Sequence, residues 1–202
     1  MMKPMIAIVG DARVEKNGDK WNTAAALGQR LIDEGYRIVT GGLGNLPEAV
    51  ALGARKSHRY QDGCLVAILP GFDPKEADAH ADVVIAAGID YARNMIVANS
   101  DAVVAIGGGA GTLSEIALAW ALKRLIIAYE LPGWSGKLAG TRIDDRVRLP
   151  DIAADRIFSA RTDGDVVEIL KDFLPLYNER HHGAAVRSAV RGPDRPTRRT
   201  NR

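Results

Sequence analysis

The sequence predicts an α/β protein, a single doubly wound domain in which a mostly parallel sheet of about six to seven strands carries helices on both faces. Three observations predict it. Short β-rich runs alternate with helical stretches from Met5 onward. Several of those runs are continuously apolar, as expected of strands covered on both faces. Two of them end in glycine clusters that open directly into helices, Gly41-Gly42-Leu43-Gly44 and Gly107-Gly108-Gly109-Ala110-Gly111.

The first strand is Met5 to Val9, ending at Gly10, and Trp21 to Glu34 follows as a helix stopped by Gly35. Tyr36 to Thr40 makes the second strand and Leu46 to Lys56 the second helix, with Asn45 and Glu48 spaced as a cap and its partner. Cys64 to Leu69 is a third strand closed by Pro70 and Gly71, and Asp82 to Ala86 a short fourth. Tyr91 to Asn99 reads as helix. Asp101 to Ile106 is a strand that feeds the second glycine cluster and a helix from Leu113 to about Arg124. Leu125 to Tyr129 is the next strand. A long loop marked by Pro132, Gly133, Gly136 and Gly140 then leads to a short strand near Ile157 and a helix from Asp163 to Leu174.

Residues 1–178 form the predicted domain and 179–202 a basic tail. From Arg180 onward seven arginines face only Asp194, giving +6 against about −4 for the rest of the chain, within a net +2. With no apolar period, that tail cannot bury enough surface to offset its ordering entropy, so it is expected to be disordered. The body has no positive excess to track a phosphate backbone, which argues against a nucleic-acid partner. No apolar run reaches membrane-spanning length and no export signal is present, so the expected address is cytoplasmic and no membrane partner is expected. Cys64, without a second thiol, reads as a buried strand residue, and the spacing of His58, His80, His181 and His182 predicts no protein-bound metal.

Doubly wound sheets place ligands at the carboxyl ends of their strands, and both glycine clusters fall there. Glycine lets the main chain turn tightly and come close to a ligand, and the first N–H groups of the following helix have no internal acceptor. That is a place for an anion. Gly107, Gly108, Gly109, Ala110, Gly111 and Thr112 are therefore expected to hold a phosphate, with Gly10, Asp11, Gly41, Gly42 and Arg93 lining the rest. The dinucleotide fingerprint is absent, because position 112 is Thr and no acid ends the second strand. Walker A is absent as well, since Gly136-Lys137 is followed by Leu138. Thr112 and Glu115 are also spaced as N-cap and N3 of a capping box.

Ser100-Asp101 and the run from Gly107 through Thr112-Leu113-Ser114-Glu115 resemble the LOG-like (lonely guy, lysine-decarboxylase-like) Rossmann family. Ile6 to Gly10, Thr40 to Gly44 with Glu48, and Arg93-Asn94 match as well, and the resemblance covers about residues 5 to 175. The family includes cytokinin-activating phosphoribohydrolases, whose signature is Pro-Gly-Gly-x-Gly-Thr-x-x-Glu preceded by an Arg-Lys pair, and molybdenum cofactor carriers. Here Gly107 replaces the proline and Asn94 the lysine, which resembles the carrier branch. The resemblance implies binding of a phosphorylated nucleotide or molybdopterin-type cofactor as a carried ligand, with no cofactor required for turnover. The alternative it implies is a hydrolase cleaving the N-glycosidic bond of a nucleoside 5′-monophosphate, with Glu115 and Arg93 catalytic. Without a gap through Asp101, the family's arginine falls on Ala92, one residue before Arg93. Ile116, Leu118, Trp120 and Leu122 put apolar residues around the helix after the glycine loop, and the expected assembly is a homodimer or homotetramer built on it.

Overall fold

The computed structural model describes residues 3–77 and 80–178. The tail expectation falls on 179–202, outside the described residues.

Seven strands form one parallel sheet in the order β4-β3-β2-β1-β5-β6-β7. They are β1 (Met5–Gly10), β2 (Arg37–Thr40), β3 (Leu65–Leu69), β4 (Val83–Ala86), β5 (Ala102–Ile106), β6 (Leu125–Tyr129) and β7 (Ile157–Ala160). The helices are α1 (Asp19–Asp33), α2 (Asn45–Ala54), α3 (Asn94–Ala98), α4 (Ala110–Ala121), α5 (Trp134–Leu138) and α6 (Asp163–Phe173). The chain winds outward from β1 to β4, then returns to lay β5 on the other side of β1. The switch point thus lies between β1 and β5, where a Rossmann-like sheet opens a crevice.

Pleating sorts the core into two halves. Ile6 and Ile8 of β1 pack with Trp21, Leu27 and Leu31 of α1, Leu46 and Val50 of α2, and Val166 and Leu170 of α6. Ala7 and Val9, pointing the other way, pack with Val97 of α3 and Ile116, Ala119 and Trp120 of α4. Both faces of the central strands are therefore covered, which explains why they read as unbroken apolar runs, while the edge strand β4 leaves Val83 and Ile85 exposed. Cys64 is buried, one residue ahead of β3.

Three local expectations are corrected. The stretch expected to be helical from Tyr91 is a 3-10 turn over Asp90–Arg93 that passes into α3. The glycine-marked loop after β6 contains α5. Neither helix expected to carry a side-chain cap has one: Gly44 is the N-cap of α2 and Gly109 that of α4. Asn45 instead exchanges two hydrogen bonds with the Val14 backbone, at 2.7 Å each. Thr112, already inside α4, donates its hydroxyl to the Gly10 carbonyl at 3.0 Å.

Candidate functional site

A cavity of ≈520 Å³ opens at the carboxyl ends of β1 and β2, against the N-terminus of α4. That volume suits a mononucleotide-sized molecule. Its wall brings together Gly10, Asp11, Gly41, Arg93, Gly109, Gly111, Thr112 and Glu115, eight of the residues expected from sequence. The wall also includes Asp90, Tyr91 and Asn94, together with Leu43, Leu46, Pro47 and Pro70. Asp90 and Tyr91 carried no sequence signal, because their place depends on the 3-10 turn.

Gly42, Gly107, Gly108 and Ala110 do not line it. A Cβ on Gly42 would face Ala67 and Leu69. The 107–108 bend is spent on holding the loop after β6. The Gly107 N–H donates to the Ser135 hydroxyl at 2.7 Å, and the Gly107 and Gly108 carbonyls accept the Ser135 and Trp134 N–H groups at 2.9 Å. Ser135 is fully buried and passes its own proton to the Tyr129 carbonyl at 2.8 Å. Gly107 and Gly108 thus aim the start of α4, and the bare backbone on the cavity side is that of Gly109 and Gly111, where an added Cβ would meet nothing within 4 Å. The first-turn N–H groups of α4, without intrahelical acceptors as in any helix, receive no side-chain cap at Gly109 either.

Opposite that shelf, the 3-10 turn carries Arg93 into the cavity and leaves Ala92 exposed. Its guanidinium lies 3.5 Å from the Glu115 carboxylate and over Gly41, where a Cβ would sit 2.6 Å from Nη2. Glu115 is 6% exposed, and burial pushes its carboxyl pKa up to about 7 although Arg93 pulls the other way. Burial likewise lowers the pKa of Arg93, with Glu115 opposing. Buried Asn94 donates to Ser114 Oγ at 2.8 Å, and Ser114 donates to the Gly111 carbonyl at 2.6 Å, fixing one wall to the first turn of α4. The site can therefore offer backbone donors to an anion and, a helix turn away, a buried carboxyl beside a guanidinium. Glu48, expected as a cap, instead lies 3.9 Å from Lys16 on the surface.

The model of the SLOG cluster4 family matches residues 3–153. An uncharacterized protein of Archaeoglobus fulgidus is 36% identical over 115 residues, 56% of this chain and 72% of that protein. Among solved structures, the molybdenum cofactor binding protein of Rippkaea orientalis is 29% identical with a TM-score of 0.67, covering 85% of this chain and 97% of that one. The molybdenum cofactor carrier protein of Chlamydomonas reinhardtii is 24% identical with a TM-score of 0.68, covering 87% and 99%, and this likeness speaks to the fold.

Proposed function

This chain belongs to the SLOG cluster4 family, and on that premise we propose that it binds a phosphorylated, nucleotide-like small molecule and carries it. The ligand class comprises nucleotides and molybdopterin-type cofactors, with the phosphate on the first turn of α4 at Gly109–Thr112. The observation that carries the reading is the uncapped start of this 12-residue helix, opening into a cavity of ligand size through two glycines with free space in front of them. Backbone donors and the helix dipole favour a negative group there. The likeness to the Rippkaea orientalis protein supports molybdenum cofactor as the cargo.

A second reading rests on the Arg93–Glu115 pair. A buried carboxyl with a pKa near neutrality, next to a guanidinium and about one turn from the phosphate shelf, suits an acid or base acting on a ribose. In that reading water displaces the base from a nucleoside 5′-monophosphate. The proposal also includes a homodimer or homotetramer.

The experiment that tests both readings incubates the protein with nucleoside monophosphates and with a phosphorylated pterin, following melting temperature and released base. Stabilisation without release supports carriage. Stoichiometric release of base and ribose 5-phosphate replaces carriage with hydrolysis, and no stabilisation by any phosphorylated probe ends both.

A further inference from the structure

The cavity is short of positive charge for the ligand assigned to it. Its wall carries the carboxyls of Asp11, Asp90 and Glu115 against the one guanidinium of Arg93, and even with Glu115 only about half ionised at neutral pH the acids outweigh the base. A phosphate monoester brings between one and two further negative charges at neutral pH, and Arg93 is already engaged by Glu115. Helix amides and a dipole equivalent to roughly half a charge do not balance that sum.

Lys20, in the first turn of α1, supplies the missing cation. Its Nζ donates to Asp11 Oδ2 at 2.5 Å. Asp11 lines the cavity, so the ammonium stands one hydrogen bond behind the wall. The pair fills the space that Gly107 leaves bare: a Cβ there would lie 2.6 Å from Nζ and collide with Asp11. Gly107 is two residues before Gly109, the N-cap of α4. Both side chains stay about a quarter exposed, at 26% and 27%, so neither is locked in the core. An ammonium has three donors, and Asp11 occupies one. Lys16, on the loop into α1, is turned elsewhere, toward Glu48 and the ring of Trp21.

We propose that Lys20, oriented by Asp11, is the second cation of the binding site and bridges from Asp11 to the ligand's phosphate on α4. The inference rests on the phosphate-binding reading above and names the side chain that makes an acid-lined cavity tolerate an anion. A competing account gives the Lys20–Asp11 pair only the task of pinning the loop after β1. The two accounts differ in sign. As a loop pin, either substitution weakens binding. As a phosphate cation held by an acid, loss of Lys20 weakens binding, whereas Asp11→Asn keeps the acceptor oxygen, removes a repulsive charge and strengthens it.

The test is calorimetric titration of wild type, Lys20→Gln, Lys20→Arg and Asp11→Asn with adenosine 5′-monophosphate, guanosine 5′-monophosphate and inorganic phosphate, with and without magnesium ion. Lys20→Gln is expected to weaken every phosphate-bearing probe by about tenfold. Lys20→Arg should stay within about threefold of wild type, and Asp11→Asn should bind about threefold more tightly, because a close charge is worth a factor of this order at a partly exposed site. Melting temperatures of the unliganded variants should change little, as expected for a partly exposed ion pair. Wild-type affinity in Lys20→Gln, a loss in Asp11→Asn equal to that in Lys20→Gln, or affinity that follows magnesium and ignores residue 20 overturns the proposal. If wild type binds none of the three probes, the phosphate site itself falls and the role of Lys20 with it; binding by wild type with an unaffected Lys20→Gln removes Lys20 alone.

Discussion

The guanidinium of Arg93 lies 3.5 Å from the Glu115 carboxylate and presses onto Gly41, whose missing side chain makes room for it. Sequence separation hides this three-part contact, because the residues come from the end of β2, the turn before α3 and the first turns of α4. It joins the carboxyl ends of two strands across the switch point and defines the polar wall facing the first turn of α4.

Gly41→Ala should displace Arg93 without damaging the fold. Gly41 is not among the glycines with positive φ, and the atom it would meet is the far end of a flexible side chain. We expect affinity for a nucleoside monophosphate to fall by about three- to tenfold, the range of one charge-assisted contact. Arg93→Ala should cause the same loss, and the double variant no more than either alone. Additive losses in a calorimetric cycle would separate Gly41 from Arg93.

Glu115 makes stability depend on pH in a definite direction. Its carboxyl is raised from 4.5 to about 7, so between those values the native state binds more protons than the unfolded chain. The contribution of this group is greatest below about pH 4.5 and is lost as pH rises toward 7, a change of about 1–3 kcal/mol. Urea unfolding at acid and neutral pH should show that fall in wild type, and Glu115→Gln should flatten it. An equal pH slope in both proteins would assign the dependence to other groups.

Gly109→Asp should trade binding for stability. The new Cβ enters open space, the residue already has the extended conformation of an N-cap, and the carboxylate would accept the first-turn N–H groups of α4. The apo protein should gain about 0.2–0.5 kcal/mol, the modest difference between glycine and a side-chain cap at this position, read as a slightly higher melting temperature. Stabilisation by phosphorylated ligands should disappear, because the built-in anion occupies their place. A variant that still shows the full ligand-induced shift would move the phosphate away from this helix.

The assembly is tested on α3 and α4. Met95 and Ile96 are 51% and 46% exposed on α3, and Leu118 of the neighbouring α4 and Leu122 at its C-cap are only partly buried. Apolar side chains exposed together on neighbouring elements are candidates for a protein–protein contact. Light scattering should give the mass of two or four chains, and Ile96→Glu should lower it. A single-chain mass for wild type at micromolar concentration would remove the oligomer.

The sheet was legible because its strands are covered on both faces, which leaves unbroken runs such as Ala102–Ile106 with 0% exposure. The carboxyl-edge position of the cavity followed from the doubly wound fold class and the placement of the glycine clusters. The phase of the helices was not legible. Thr112 and Glu115 have the spacing of a capping box, but spacing fixes only their separation, and α4 begins two residues before Thr112 because Gly109 takes the cap. Gly107 and Gly108 looked like phosphate ligands because glycine reports a need for bare backbone without saying what approaches it. Here the visitor is the loop after β6, and for Gly107 also Lys20 and Asp11. Lys20 was missed because a lysine in a first helical turn carries no pattern until the strand ends beside it are known.

The hydrogen bond from the Gly107 N–H to Ser135 has a thermodynamic reach beyond its own strength. It joins the loops that follow two adjacent strands, so the shelf at Gly109 is stiff before any guest arrives. A guest therefore need not spend part of its interaction energy on ordering that backbone. Cutting the knot with Ser135→Ala should lower the melting point, because the buried Gly107 N–H loses its acceptor, and should also make the binding entropy more negative, the cost of freezing a shelf that wild type holds in place beforehand.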